Sequence, residues 1–397
     1  MPVAGIVCEY NPFHLGHGWM LQQLREKGMD GIVCVMSGSF VQRGEFAVAD
    51  KFARAEMAVR GGADVVLELP APWSAATAEV FALGGVSALA RTGVVTHLAF
   101  GSECGDAAPL MTLAQALDGA DYADILRQKL MQGNKTFAVC RREAAAQLLG
   151  EETAALLDTP NNNLGVEYCR ALRKLKSDMT PITVPRTGAA HDGAPSEGIA
   201  SATHIRQLLL AGKREEALAF LPAEAAMIMQ REIAAGRAPV TMENCSCAVL
   251  SHLRRMSEED FARYAGGSEG LHHRFYQAVR KAYDLELLLD EAKTKRYTHA
   301  RLRRMLLAAY LELNAAGEEP PYLRVLAANE RGRKLLRQMR DSGAPVLTKA
   351  ADVSALGAAA EELLHAEATR YDLYTLAYPQ LKNSICGRDY RISPIML

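Results

Sequence analysis

The chain lacks the features that mark several classes of protein. Its 45 Lys and Arg residues nearly balance 46 Asp and Glu residues, so the overall charge favours neither a nucleic acid nor a membrane as partner. Its 397 residues contain neither a repeat of fixed period nor a low-complexity tract, which argues against solenoids and linker proteins. With 49% hydrophobic and 23% charged residues, the composition is that of a globular protein of two or three domains.

The eight cysteines are scattered, and no two of them have the C-x-x-C spacing of a zinc knuckle. We therefore expect buried, reduced thiols and no metal site, as is usual in the cytoplasm. The longest apolar segment, residues 80–100, is interrupted by Arg91 and His97, and the first residues lack the basic region of a signal peptide. The sequence predicts a cytoplasmic protein that has no membrane partner.

The first hundred residues alternate short apolar runs with helical patterns, as a parallel sheet with crossover helices does. Four strands are predicted, at residues 3–8, 31–36, 63–69 and 95–100. Three helices are predicted between them, at residues 15–27, 49–60 and 78–91. Because crossover connections are right-handed, this order predicts a Rossmann-like sheet.

After residue 100 the sequence pattern becomes progressively more helical. Helical patterns at residues 108–130 and 140–157 precede another helix from Asn161 and a strand at residues 181–185. From Glu215 onward the pattern becomes mainly helical. We predict an α/β fold with a boundary after Leu221, which gives a Rossmann-like domain (1–221) and a mainly helical domain (222–397).

The densest functional signal is the segment 9–17, which follows the first predicted strand and opens the first helix. Open α/β sheets bind ligands at this position. His14 and His17 lie three residues apart, so both can face a phosphate that the helix N-terminus attracts. Two imidazole donors can stabilise charge on a phosphoryl centre. The same pair could instead be surface residues, or two ligands of a zinc site.

A second signal lies at residues 199–206, where Ser201 begins another predicted helix. The amides and hydroxyls of Ser201 and Thr203 can hold β and γ phosphates, and Arg206 adds a planar cation. As an isolated motif, the segment could be an ordinary helix cap.

Together the two motifs resemble the nucleotidyltransferase superfamily, which includes adenylyltransferases and class I aminoacyl-tRNA synthetases. Six segments are more specifically similar to the tRNA(Met) cytidine acetate ligase family, namely residues 7–14, 35–45, 99–103, 161–165, 185–188 and 293–298. The resemblance implies a nucleotidyltransferase-like, ATP-binding domain at 1–221 and a tRNA-binding role for the mainly helical domain at 222–397. Two small departures are Cys8, where the family commonly has an aliphatic residue, and Ser39, where it has Asn.

Members of that family activate acetate with ATP to acetyl-adenylate and release pyrophosphate. They then acetylate N4 of the wobble cytidine of elongator tRNA(Met) and release AMP. The resemblance thus implies ATP, acetate and the anticodon of that tRNA as substrates, with His14, His17 and Arg206 as catalytic residues. Mg²⁺ is expected to accompany ATP because phosphates bind it.

The ATP-binding residues carried over from the family form one continuous segment and several single positions. The asparagine is taken as Asn162, although the run of three asparagines leaves the register against Asn161 open by one. The expected set is Val7, Cys8, Glu9, Tyr10, Asn11, Pro12, Phe13, His14, Leu15, Gly16, His17, Gly18, Trp19, Met20, Gly101, Asn162, Arg186, Ser201 and Thr203.

One stretch is basic, since residues 291–341 hold twelve basic residues against six acidic ones. The expected tRNA-binding residues are Lys293, Lys295, Arg296, Arg301, Arg303 and Arg304. Tyr297 is a candidate stacking group, and Lys293, Arg296 and Arg303 share a helical face if the helix begins that early. The stretch could also be a solvated helix face. Further candidates near the pocket mouth are Gln42, Arg43 and Lys51, although Asp50 and Lys51 could equally be a helix cap with a surface lysine.

Two other functions are compatible with the same residues. A small-molecule adenylyltransferase that acts on a phosphate substrate would share the histidines and Arg206, but it has no use for a basic helical segment. The third hypothesis is a protein that binds a nucleotide or tRNA without catalysing a reaction.

Overall fold

A computed structural model describes residues 1–133, 135–185, 199–266, 270–294 and 297–397. The strands in these ranges are β1 (Val3–Cys8), β2 (Gly31–Ser37), β3 (Phe40–Val41), β4 (Glu45–Phe46), β5 (Val65–Leu69), β6 (His97–Ser102), β7 (Thr180–Pro185), β8 (Leu323–Ala328), β9 (Val346–Leu347) and β10 (Ile395–Met396).

The helices before β8 are α1 (Leu15–Glu26), α2 (Lys51–Arg60), α3 (Ala71–Ser74), α4 (Ala78–Ala90), α5 (Ala107–Leu117), α6 (Ala120–Met131), α7 (Phe137–Leu149), α8 (Glu151–Ala154), α9 (Pro160–Lys174), α10 (Ala202–Leu210), α11 (Arg214–Leu218), α12 (Ala223–Ala234), α13 (Ser246–Arg255), α14 (Glu258–Ala262), α15 (Leu271–Lys281), α16 (Leu285–Ala292) and α17 (His299–Tyr310). Those after β8 are α18 (Glu330–Asp341), α19 (Ala358–Thr375) and α20 (Arg388–Arg391). Short 3-10 turns lie at Ala155–Asp158, Met242–Cys245, Ala350–Leu356 and Leu381–Asn383. In the described ranges, no helix is both long enough and apolar enough to cross a lipid bilayer.

The main sheet has the order β10-β8-β5-β2-β1-β6-β7, with β9 beside β8. Strands β5, β2, β1, β6 and β7 pair in parallel, which confirms the predicted Rossmann-like arrangement. After β1 the chain crosses to β2, which pairs with β1 on one side, and β6 pairs with β1 on the other side. A crevice therefore opens where β1 and β6 end, and open sheets bind ligands at such a point.

The C-terminal segment returns to the sheet, which the helical pattern after Glu215 does not predict. β8 is buried along its whole length and pairs antiparallel with β5, placing Ala328 opposite Val65. β10 then pairs with β8. The division after Leu221 stays a prediction, although β8 and β10, which follow it in the chain, belong to the sheet.

The core lies on both faces of the sheet because its strands are apolar on each side. Val33 and Phe100 pack on one face, and Ile32 and Cys34 pack on the other. A third cluster fills the helical part, and Phe46 of the β3–β4 hairpin belongs to it. The hairpin therefore connects the carboxyl end of β2 to the helical part.

Candidate active site

A cavity of about 430 Å³ opens at the carboxyl ends of β1 and β6. Its walls include the loop after β1, the β3–β4 hairpin and the starts of α9 and α10, together with residues of β1, α1, α4, β6 and β7. Among its lining residues are Glu9, His14, His17, Gly101 and Arg206. The two motifs that the sequence singled out thus meet in one cavity.

The two histidines form the first turn of α1. His14 is the N-cap, since its Nδ1 accepts a hydrogen bond from the Gly16 amide at 3.1 Å. The His17 Nδ1 accepts one from the His14 amide at 3.2 Å, and the two rings stack with centroids 3.7 Å apart. Because both Nδ1 atoms are acceptors, the neutral rings carry their proton on Nε2. The first-turn amides are themselves bonded, that of Leu15 to the Phe220 carbonyl at 3.0 Å. A phosphate at this helix start would therefore meet the positive end of the helix dipole and the imidazole Nε2–H groups rather than the amides.

Arg206 ties the second motif to the first. Ser201 caps α10 by accepting from the His204 amide at 3.2 Å, and Arg206 lies in the first turns of that helix. The Arg206 guanidinium donates to the Asn11 carbonyl at 2.9 Å and to the Thr203 hydroxyl at 3.3 Å. Its planar cation is thereby held against the loop that carries the histidines.

Arg54 lies beneath this loop and is fully buried. Its guanidinium donates to four main-chain carbonyls: those of Glu9 at 2.6 Å, Ala49 at 3.0 Å and Ser37 at 3.1 Å, and that of Gly38. Burial lowers its pKa from the ordinary arginine value. Arg54 therefore joins the ends of β1 and β2 below the cavity. The sequence analysis missed it, because an arginine within a helical pattern usually faces solvent.

Glu9 and the β3–β4 hairpin form one wall of the cavity. The Glu9 Oε1 accepts from the Gln42 amide at 2.8 Å. Burial raises the pKa of Glu9, while that hydrogen bond and the charge of Arg206 oppose the rise. Glu45, on the same wall, pairs with Arg303 at 2.9 Å and lies 3.7 Å from Arg206. The wall thus carries two carboxylates beside the cations of the site.

Asn162, the asparagine expected to bind ATP, is not among the residues that line the cavity. This residue is 2% exposed, and its Oδ1 accepts from the amides of Glu103 and Cys104 at 2.9 and 3.2 Å. Asn161 and Asn163, on either side of it, line the cavity instead. Asn162 is turned away because it satisfies the backbone of the loop after β6.

The remaining expected ATP residues divide into three groups. Most of the segment 7–20 lines the cavity, as do Gly101, Ser201 and Thr203. Pro12, Phe13, Leu15 and Gly18 are not among its lining residues, and Phe13 is buried in the core. Arg186 lies outside the described residues. The sequence analysis missed the apolar lining, which is formed by Ile6, Phe81, Phe100, Leu164, Tyr168 and Ile199.

Comparison with known proteins agrees with this geometry. A family model described as HIGH Nucleotidyl Transferase matches residues 1–389. The tRNA(Met) cytidine acetate ligase of Syntrophomonas wolfei is 35% identical over 415 residues, covering 100% of this chain and 99% of that protein. The one of Kosmotoga olearia is 38% identical over 365 residues, covering 88% of this chain and 85% of its own. The chain belongs to the tRNA(Met) cytidine acetate ligase family.

Solved structures of a relative confirm the fold of this ligase family in the present chain. Thermotoga maritima TmcAL bound with alpha-thio ATP superposes with a TM-score of 0.92 at 35% identity, with 100% of both chains covered. Its apo form superposes with a TM-score of 0.95, also with full coverage. The α/β nucleotidyltransferase fold and the resemblance noted in the sequence are therefore confirmed.

The basic stretch of this ligase family member differs from the expected helical face. Lys293 is the C-cap of α16, and its ammonium donates to the Thr294 carbonyl at 3.0 Å. α17 begins only at His299, so the condition under which Lys293 and Arg303 would share one helical face is not met. Tyr297 is only 5% exposed, so its expected stacking role is not supported. Lys295 and Arg296 lie outside the described residues.

The other three expected arginines lie on α17. Arg303 is exposed, whereas Arg301 and Arg304 are half-buried. Burial, together with the charge of Arg301, lowers the pKa of Arg304. Gly44 of the hairpin has φ +75°, and a Cβ there would clash with the main-chain nitrogen of Arg304. The cavity wall and the basic helix are therefore in direct contact.

Lys51 is not the surface residue that either reading of the sequence expects. It is 1% exposed, and its ammonium pairs with Glu68 at 2.8 Å and Asp389 at 2.9 Å. Asp50 does cap α2, by accepting from the Phe52 amide at 2.9 Å. Lys51 therefore joins the sheet to the C-terminal segment and is removed from the candidates for RNA contact.

Proposed function

We propose that this protein ligates acetate to N4 of the wobble cytidine of elongator tRNA(Met), through an acetyl-adenylate, with release of AMP and pyrophosphate. The observation that carries the proposal is the meeting of His14, His17 and Arg206 in one cavity at the end of β1. Relatives that match the full chain are named for this ligation, and TmcAL is bound with an ATP analogue.

In the first step, an acetate oxygen attacks the α-phosphorus of ATP, and pyrophosphate leaves. The Nε2–H groups of His14 and His17 would donate to the oxygens on which charge develops. Ser201, Thr203 and Arg206 would hold the leaving β and γ phosphates at the start of α10. Mg²⁺ would enter with ATP, on its phosphate oxygens.

The apolar lining suits the base of the nucleotide. Phe81, Phe100 and Leu164 give the cavity a wall against which a flat adenine can pack. Gly16 lies in the same lining, and its lack of a side chain leaves room for the His14 imidazole, because a Cβ there would lie 3.0 Å from that ring. Polar groups on one side and apolar groups on the other would orient ATP so that acetate meets the α-phosphorus in line.

In the second step, N4 of an unstacked cytidine attacks the acetyl carbonyl, and AMP leaves. The RNA has to be held beside the cavity for this attack. The exposed Arg303 on α17 lies next to the cavity wall, because Glu45 pairs with it there. This arrangement supports a tRNA-modifying role in which α17 contacts phosphates of the anticodon region.

Pyrophosphate exchange tests the proposal. The protein is incubated with ATP, labelled pyrophosphate and either acetate or a phosphorylated small molecule. Exchange that depends on acetate is expected. Exchange that depends on the phosphate substrate would instead establish a small-molecule adenylyltransferase, and no exchange with either substrate would leave a nucleotide or tRNA binder.

A further inference from the structure

Two acidic side chains line the described part of the cavity, although a carboxylate repels the polyphosphate of ATP. Glu45 has a clear partner, since its Oε1 pairs with Arg303 on α17 at 2.9 Å. Glu9 is held by its Oε1 on the Gln42 amide at 2.8 Å. This hydrogen bond from the Gln42 backbone positions the Glu9 carboxylate. The negative charge of that carboxylate does not help to bind the phosphates of ATP.

We propose that Glu9 is the general base of the acyl-transfer step, an inference that rests on the proposed function. Cytidine N4 forms a bond to the acetyl carbon, and the bond from that carbon to the adenylate oxygen breaks. AMP leaves with the electron pair of that bond. The N4 proton passes to the Glu9 carboxylate and from there to water. A base is useful because the N4 lone pair is delocalised into the ring, which makes N4 a weak nucleophile. In addition, the N4–H group becomes acidic as N4 bonds to the acetyl carbon.

The position of Glu9 fits this role. It follows β1 in the loop that leads to His14, so it lies at the same end of the sheet as the proposed adenylate site. Its partner Gln42 belongs to the hairpin, and Gly44 of that hairpin packs on the backbone of α17. Glu9 is therefore placed between the adenylate and the side from which the RNA arrives.

The surroundings of Glu9 make it a stronger base than an exposed glutamate. Burial raises its pKa, and Arg206 and Arg43 favour its charged form. The base form exists above that raised pKa, so the transfer rate should rise with pH through a value above the ordinary glutamate range. The titratable or charged groups that face it are Cys8 beside it, Arg43 and Glu45 on the hairpin, Arg54 on α2, Tyr168 on α9, Arg206 on α10, and the two histidines of α1.

Glu9→Gln tests the inference, because the amide oxygen of Gln still accepts from the Gln42 N–H. Acyl transfer is measured in a single turnover from preformed acetyl-adenylate to tRNA, as a function of pH. Acetate-dependent pyrophosphate exchange and tRNA affinity are measured in parallel. We expect transfer to fall by at least about 100-fold and its rising pH limb to disappear, while exchange falls by less than about tenfold.

Glu45→Gln is the matched control, since it removes the other carboxylate of the same wall. That variant should keep the rising pH limb of transfer. Equal losses of exchange and transfer in Glu9→Gln would overturn the inference and assign Glu9 to holding ATP or its Mg²⁺. Unchanged transfer would overturn it as well. If the wild-type protein shows neither acetate-dependent exchange nor transfer, the proposed function fails and the role of Glu9 fails with it.

Discussion

Arg54→Met should uncouple the cavity from the sheet beneath it. The guanidinium donates to four buried carbonyls, and the methionine stem can fill much of the space but supplies no donor. At about 1 kcal/mol of net stability per hydrogen bond, the expected loss is about 4 kcal/mol. Arg54→Lys retains the charge but has a compact ammonium, so we expect it to recover about half of that loss.

The loss is measured by urea unfolding, and the binding of an ATP analogue is measured in native buffer. Arg60→Met is a control on the same helix. The exposed Arg60 pairs with Glu56 and Glu224, and the buried Glu56 keeps Arg231 as a partner at 2.9 Å, so the loss should be less than about 1 kcal/mol. Because Arg54 holds the Glu9 carbonyl, ATP affinity should fall in both Arg54 variants and stay normal in the control. A loss of stability below about 1 kcal/mol in Arg54→Met, or normal ATP affinity there, would refute the reasoning.

Four further predictions concern the site and the basic helix beside it. His14→Ala should lose a helix cap, at about 1 kcal/mol of stability, and should also lose adenylation. His14→Asn should restore the cap but not the rate of pyrophosphate exchange. Equal exchange rates in the wild type and the Asn variant would contradict this. His17→Ala should slow pyrophosphate exchange by about 100- to 1,000-fold at near-normal stability in thermal unfolding, and normal exchange would remove its catalytic role. Arg206→Ala should raise the KM for ATP by a larger factor than it weakens tRNA binding. A larger effect on tRNA binding than on the KM for ATP would assign Arg206 to the RNA instead. Arg303→Ala should flatten the salt dependence of tRNA binding by about one unit, and an unchanged slope would place the RNA surface elsewhere.

The parallel sheet was predictable because its strands are short apolar runs separated by amphipathic helices. β1 has the predicted bounds, and α1 begins at the predicted residue. β8 escaped prediction because Arg324 interrupts its apolar run. That arginine is tolerated in a buried strand because it pairs with Asp389 at 2.5 Å. The partner lies 65 residues further along the chain, so no local pattern reveals it.

The candidate site shows the same limit. The histidine pair and Arg206 were predictable, since each motif opens a helix and needs only local sequence. The orientation of the Asn162 side chain was not predictable, because it depends on a hydrogen bond from the Glu103 backbone, which is 59 residues away. Glu9 was predicted within the ATP segment, but its link to Gln42 on the hairpin requires the folded chain. Local motifs predicted which residues lie at the site, and tertiary contacts decide what each of them faces.

The most direct test of the central claim is to follow labelled acetate into tRNA. The protein is incubated with ATP, labelled acetate and unmodified elongator tRNA(Met), and the tRNA is digested to nucleosides that are separated and identified by mass. The account predicts ATP-dependent label in N4-acetylcytidine, at the wobble position and at no more than one acetyl group per tRNA. Acetate-dependent exchange without any label in that nucleoside would contradict it.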